Sequence, residues 1–163
     1  MDEGLFIWFE GPIDDEQLDK YAELRREISA KIIPAGYRKY SSEFITNGTK
    51  AGAWDAGRFD VTTVGGLSDA LALMIIANDS HLAIEIQSWG HTLGQAANLH
   101  LMLATEGTTL FEASMPKEAY DYGMKNGILL EEGRVAAPKG PGLGIEVDWD
   151  GLANADYYRY SKY

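Results

Sequence analysis

The sequence predicts an α/β fold, an open parallel β/α barrel of about five units followed by a carboxyl-terminal hairpin and tail. Three observations carry this expectation. Trp8-Phe9-Glu10-Gly11-Pro12 is a short apolar run that ends in one acidic residue and a Gly-Pro turn, with a helical pattern beginning a few residues later. Strand, acidic tip, turn and helix in that order make one unit of a β/α barrel, whose functional groups gather at the C-terminal ends of its strands. Strand-like and helix-like runs then alternate as far as Glu112. At 163 residues the chain is long enough for one globular domain but short of the roughly 250 residues of a closed eight-unit barrel. The expectation is therefore a single domain over residues 1–163 that opens partway round a barrel, with β/α units over 5–115 and the hairpin and tail over 116–163.

Each element has its own signal. Leu5 to Glu10 is the first strand. Asp14-Asp15-Glu16-Gln17 offers an N-cap with Gln at the third helical position, and Leu18, Tyr21, Ala22, Leu24 and Ile28 recur at helical spacing up to about Ala30. The acidic run is explained by the favourable interaction of carboxylates with a helix N-terminus. Lys31 to Ala35 is a second strand and Gly36 to Tyr40 its loop; Ser41-Ser42 caps a short helix through Phe44 and Ile45 that Asn47-Gly48 ends. Ala53 to Asp60 is a third strand. Val64-Gly65-Gly66-Leu67-Ser68 then turns tightly into an apolar helix, Ser68 to Ala77, with Ser68 as its cap. Leu82 to Gln87 is a fourth strand, Leu93 to Ala104 a helix, and Thr109 to Glu112 a fifth strand. Beyond it, Ile128–Glu131 and Arg134–Ala137 flank Glu132-Gly133 as a hairpin, and a Pro/Gly-rich loop over Pro138–Gly144 leads into Ile145–Trp149. Tyr157, Tyr158, Tyr160 and Tyr163 near the end suit contact with another chain.

Composition excludes several roles. A net charge of -11 with no clustered Lys/Arg run argues against nucleic acid and anionic membrane surfaces as partners. The absence of cysteine removes disulfides, thiolate metal sites and a Cys nucleophile. With no cationic leader and no long apolar run, a cytoplasmic location is the default expectation. Gly65-Gly66 lacks the longer glycine-rich fingerprint of a nucleotide site and reads as a tight turn. Of the three histidines, His100 falls on an apolar helix face, His81 opens a strand at the wrong end, and His91 sits in the loop after Gln87.

On this framework the polar residues at strand ends form a series: Glu10, the Gly36-Tyr37 pair, Asp60, Gln87 and Glu112. Barrel geometry would converge them on one cavity. The order and wording of Trp8–Pro12, Tyr21–Arg26, Gly52–Asp55, Asp60 with Val64–Leu67, Ala96–Leu101 and Pro141–Asp148 resemble the C-terminal part of the enolase superfamily, in its mandelate racemase and muconate lactonizing branch. The resemblance spans nearly the whole chain and implies a TIM-type barrel from about its fourth strand to its eighth.

The resemblance also implies chemistry. Such enzymes use carboxylates on three consecutive strands to hold a divalent cation, usually Mg²⁺, which stabilises the enediolate formed when a proton α to a carboxylate is removed. Glu10 matches the second ligand. The third position reads Gly36-Tyr37 in place of Gly-Glu, and a neutral phenol does not neutralise Mg²⁺ as a carboxylate does. The first Asp ligand and the lysine acid/base motif belong to strands before Met1, so the metal site is incomplete in this chain. Asp60 and Glu112 match site carboxylates, while Gln87 stands where the family has a His base, and Gln does not shuttle protons. The implied function is part of a lyase or isomerase acting on a carboxylate substrate such as a hydroxy acid or sugar acid, with Tyr37 and Gln87 as hydrogen-bonding positions. The alternative is a non-catalytic partner of a full-length homologue. Either way an open barrel leaves unpaired strand edges, which predicts another protein chain completing or covering it, in a hetero- or homo-oligomer.

Overall fold

Short parallel ladders frame the protein, a computed structural model of which describes residues 6–36 and 40–153. β1 (Trp8–Glu10) pairs with β2 (Lys31–Ile33), Glu10 lying opposite Ile33, and the Gly11 N–H extends the ladder to the Ile33 carbonyl at 2.9 Å. α1 (Leu18–Glu27) makes the crossover. α2 (Ser42–Ala51) leads to β3 (Ala56–Gly57), and α3 (Leu67–Asp79) to β4 (Ala83–Ile84). β3 and β4 are also parallel, and the N–H groups of Glu85 and Gln87 continue their pairing to the carbonyls of Gly57 and Phe59. α4 (Thr92–Ala104) follows. This is a partial α/β barrel.

Alternation along the strands sorts the side chains. Phe9, Ile32, Phe59, Val61, Ile84 and Ile86 pack with Tyr21, Ile45, Leu73 and Met74 of the helices in one core. Glu10, Arg58, Asp60, Glu85 and Gln87 fall on the other parity and so on the barrel side. The densest part of the core is aromatic: Tyr40 and Phe44 meet edge to face at 4.9 Å and Phe44 lies 5.2 Å from Trp54.

Two seams of the sheet are closed by carboxylates where backbone alone would leave gaps. Between β2 and β3, Asp55 Oδ2 accepts from the Ile32 N–H at 2.7 Å while the Asp55 N–H donates to the Ile32 carbonyl; Arg25 Nε holds the other carboxylate oxygen at 2.8 Å. After β4, buried Glu85 accepts from the Thr109 N–H at 3.1 Å and the Thr109 hydroxyl at 2.7 Å. Ser88 Oγ then accepts from the Glu112 N–H at 2.7 Å and donates to the Glu112 carbonyl at 3.1 Å. The predicted fifth strand over Thr109–Glu112 is thus no regular strand among the described residues; side chains do the pairing that a backbone ladder would do.

Other boundaries also differ from the sequence expectation, each for a local reason. α1 begins at Leu18, because Asp14 closes a turn, its Oδ1 accepting from the Glu16 N–H, and Asp15 turns inward. α2 does not stop at Asn47-Gly48. Gly48 lies inside the helix because a Cβ there would come within 2.2 Å of the Trp54 ring, and Gly52, at φ 63, is the C-cap. α3 starts from Gly66 at φ 103, a conformation a Ser68 cap would not supply.

The remaining elements are α5 (Lys117–Tyr120), the antiparallel pair β5 (Leu130–Glu131) and β6 (Arg134–Val135), and α6 (Trp149–Ala153). Glu132 and Gly133 both have positive φ, the geometry a two-residue hairpin turn requires. In place of a strand over Ile145–Trp149 there is an isolated bridge, Met124 to Val147, flanked by backbone bonds of Glu146 and Asp148, and Trp149 already opens α6. The terminal tyrosines from Tyr157 onward lie outside the described residues. No helix among the described residues is long and apolar enough to cross a membrane.

Candidate functional site

Strand geometry brings Glu10, at the tip of β1, and Glu112, beyond β4, to one guanidinium. Arg58 Nη2 lies 3.3 Å from Glu10 Oε2 and donates a hydrogen bond to Glu112 Oε1. Arg58 is only 2% exposed, whereas the carboxylates are 30% and 27% exposed, so a buried cation is paired with two partly hydrated anions. A guanidinium does not deprotonate to escape burial, so only such pairing makes its position tolerable. Its Nε is buried with no hydrogen-bond partner. Burial pushes the Glu10 carboxyl above its ordinary range; Arg58 opposes that shift, and Glu112 and Asp15 add to it.

A second group sits at the tips of the strands β3 and β4 begin. Asp60 Oδ1 accepts from the Thr62 N–H at 2.7 Å, the Thr62 hydroxyl at 2.9 Å and Asn98 Nδ2 at 3.1 Å. Asn98, buried on α4, also donates to the Gln87 carbonyl at 3.2 Å and accepts from the Val61 N–H at 2.9 Å. One amide therefore ties both tips together. Gln87 is buried, and a Cβ on Gly36 would come within 3.2 Å of its Oε1 and 2.9 Å of Arg58 Cγ. Gly36, at φ 77, is the residue that lets the loop after β2 pass this close. Tyr37, the position after it, lies outside the described residues.

Beneath that loop, buried Asp15 accepts from the Ala35 N–H at 2.8 Å, the Gly36 N–H at 3.2 Å, the Tyr21 hydroxyl at 2.9 Å and the Tyr40 hydroxyl at 3.3 Å. Burial, reinforced by the Asp15 charge, raises both phenols above the ordinary tyrosine range, so each remains a donor. The acidic run before α1 is therefore more than a favourable charge at a helix end, because Asp15 anchors the site loop.

The structure gathers Glu10 and Glu112 around Arg58, and Asp60 and Gln87 around Asn98. The sequence expectation missed Arg58, Asn98 and Asp15. Signals for two of them existed: Arg58 precedes Asp60 by two residues and so shares its face, and Asn98 is an amide within an apolar helical run. The histidines stay apart from this constellation. His91 caps α4, its Nδ1 accepting from the Leu93 N–H at 3.4 Å and its Nε2 donating to the Tyr122 carbonyl at 2.9 Å. His100 bonds the Leu143 carbonyl at 3.2 Å, and His81 is exposed at φ 55.

A partial β/α barrel with acidic and amide groups at and beyond the ends of β1, β3 and β4 defines the class of protein. The chain belongs to the Enolase C-terminal domain-like family, whose model matches residues 2–151. It is similar to D-galactarolactone cycloisomerase of Agrobacterium fabrum, 31% identical over 89% of this chain and 40% of that protein. D-galactonate dehydratase of Ralstonia nicotianae is 28% identical, covering 87% and 39%. Among solved structures, 3,6-anhydro-D-galactonate cycloisomerase from Zobellia galactanivorans matches with a TM-score of 0.81 and 26% identity over 90% of this chain and 42% of that one. A candidate mandelate racemase/muconate lactonizing enzyme from Pseudovibrio sp. matches with a TM-score of 0.88 and 36% identity, covering 94% and 41%. The chain spans about 40% of the length of these curated relatives.

Members of this superfamily typically bind Mg²⁺, and the residues described do not fit that ion. No three His, Asp or Glu side chains among them come together as a metal site. Glu10, the ligand the resemblance indicates, is engaged by Arg58, and a guanidinium beside a carboxylate disfavours a second cation there.

Proposed function

We propose that this chain is one part of an enolase-superfamily lyase or isomerase that removes the α-proton of a carboxylate substrate, a hydroxy acid or sugar acid. The relatives named above support that substrate class, since they include sugar-acid dehydratases and cycloisomerases. The chain corresponds to about the fourth to eighth strands of the family barrel, and another chain supplies the base and the remaining site groups. The single observation that carries the reading is that Glu10 at the tip of β1, Asp60 and Gln87 beyond β3 and β4, and Glu112 in the segment paired beside β4 are each held by a buried partner, Arg58 or Asn98.

In the assembled site, Glu112 and Gln87 are suited to accept from and donate to substrate oxygens, and Asp60 to orient a neighbouring polar group. Gln87 is neutral, so proton abstraction falls to a residue of the partner. Exposed Phe6 and Ile7 beside β1 and half-exposed Leu110 beyond β4 mark the two open edges where that partner would seat.

The engagement of Glu10 by Arg58 favours a second reading, a non-catalytic partner that stabilises a full-length homologue. Asp60→Asn and Glu112→Gln in the reconstituted complex separate the two. Loss of kcat by about 10²-fold or more in an intact complex supports catalysis. Values of kcat/KM within about twofold of wild type for both variants support the non-catalytic reading.

A further inference from the structure

The charge arrangement points beyond a missing metal to what replaces it. Two carboxylates from opposite ends of the strand series, Glu10 on β1 and Glu112 beyond β4, converge on a single nitrogen, Arg58 Nη2. That is the arrangement of ligands around a cation, with the cation supplied by the chain itself. Arg58 has no other acid paired with it among the described residues, and it is buried at 2% exposure, so its charge depends on these two partners. The reverse dependence also holds: without Arg58, two acids separated by 102 positions in sequence would have no countercharge paired with both of them among the described residues.

We propose that Arg58 is the resident cation of this site, its guanidinium supplying to Glu10 the positive charge that a divalent metal would otherwise supply and pairing Glu112 as well, and that the site is consequently metal-independent. Arg58 thereby acts as a positioning residue, fixing the separation of the β1 tip and the segment that carries Glu112 beyond β4. A guanidinium suits this role because its charge is permanent and its terminal Nη2 lies within ion-pair reach of both carboxylates. The inference is independent of turnover and holds whether the assembled complex is catalytic or not.

Calorimetric titration of the full chain with MgCl₂ tests this directly. Wild type and Glu10→Gln are expected to give the same titration, because Glu10 is already engaged. Saturable Mg²⁺ binding in wild type that Glu10→Gln abolishes overturns the proposal, and this comparison needs no Arg58 variant to fold. Thermal melting supplies the converse. Wild type is expected to melt at the same temperature in EDTA and in millimolar Mg²⁺. Arg58→Met, which uncovers both carboxylates, is expected to melt lower in EDTA and to recover by about 2–4 °C in Mg²⁺. A folded Arg58→Met that melts like wild type, or that ignores Mg²⁺, contradicts the claim that the guanidinium stands in a cation's place.

Discussion

The segment from β1 to α4 and the segment after α4 are held together by different means. In the first, β1 with β2 and β3 with β4 exchange backbone hydrogen bonds, and helices cover one face through a shared apolar core. In the second, residues 108–114 reach β4 mainly through Glu85, Ser88 and Thr108, and the tail is tied by Asn126, which donates to the Gly144 carbonyl and accepts from the Glu146 N–H. A much smaller cluster around Ala96, Leu99 and Ile128 packs there. The comparison teaches that the early β/α units share backbone ladders and one large apolar core, reinforced at Asp15 and Asp55 by single carboxylates, whereas the later segment is tied mainly by side chains and has only a small core. Cooperative opening should follow the same division.

The largest expected effect lies in the first segment. Asp15→Ala would take the acceptor from the two amides of Ala35 and Gly36 and remove the bond the Tyr40 hydroxyl makes to it, while the Tyr21 hydroxyl keeps the Ile13 carbonyl, and a loss of roughly 2–3 kcal/mol is expected. Denaturant melts should show it as a lowered midpoint, and a variant as stable as wild type would mean that water satisfies the hub. Gly48→Ala comes next. Alanine is the better helix former by about 1 kcal/mol, yet its Cβ would meet the Trp54 ring at 2.2 Å, so net destabilisation of about 1–3 kcal/mol is expected. A stabilised variant would show that the aromatic cluster yields.

Glu85→Gln sharpens the contrast by weakening only the seam. The amide retains one acceptor oxygen where the carboxylate used both, and about 1–2 kcal/mol is expected. Hydrogen exchange should quicken at Thr109 and Leu110 well before it quickens in α2; uniform quickening would erase the proposed division.

The smallest effect is one of pH. Glu10 has a folded-state pKa raised by burial, so the stability linked to its protonation is present below the ordinary carboxylate range and is lost as pH rises through the raised value. Relative to Glu10→Gln, wild type should therefore gain stability on acidification through that window. A difference between the two proteins that does not change with pH would show that Arg58 offsets the desolvation, and one that falls on acidification would show that Arg58 outweighs it.

Much of the first segment was readable because its rules are periodic. Apolar spacing located the helices, and alternation put Glu10, Asp60 and Gln87 on one parity, since side-chain direction follows from backbone geometry alone. Residue wording supplied the family. What the sequence did not reveal was partnership. Asn47-Gly48 looked like a helix end because nothing local shows that Trp54 needs the space of an absent Cβ. Thr109–Glu112 looked like a strand because its residues suit one, while its actual bonds depend on Glu85 and Ser88, more than twenty residues earlier.

The sequence by itself determined the alternation of strands and helices through α4, the family resemblance and the net charge of -11, because each depends on residue identity and near-neighbour spacing. Only the tertiary structure decided that Asp15 is a buried hub, that Asn98 joins Asp60 to Gln87, and that Arg58 lies between Glu10 and Glu112. The physical reason is that pairing of buried polar groups is set by which distant strand tips the fold brings within about 3 Å, and desolvation makes those pairings obligatory.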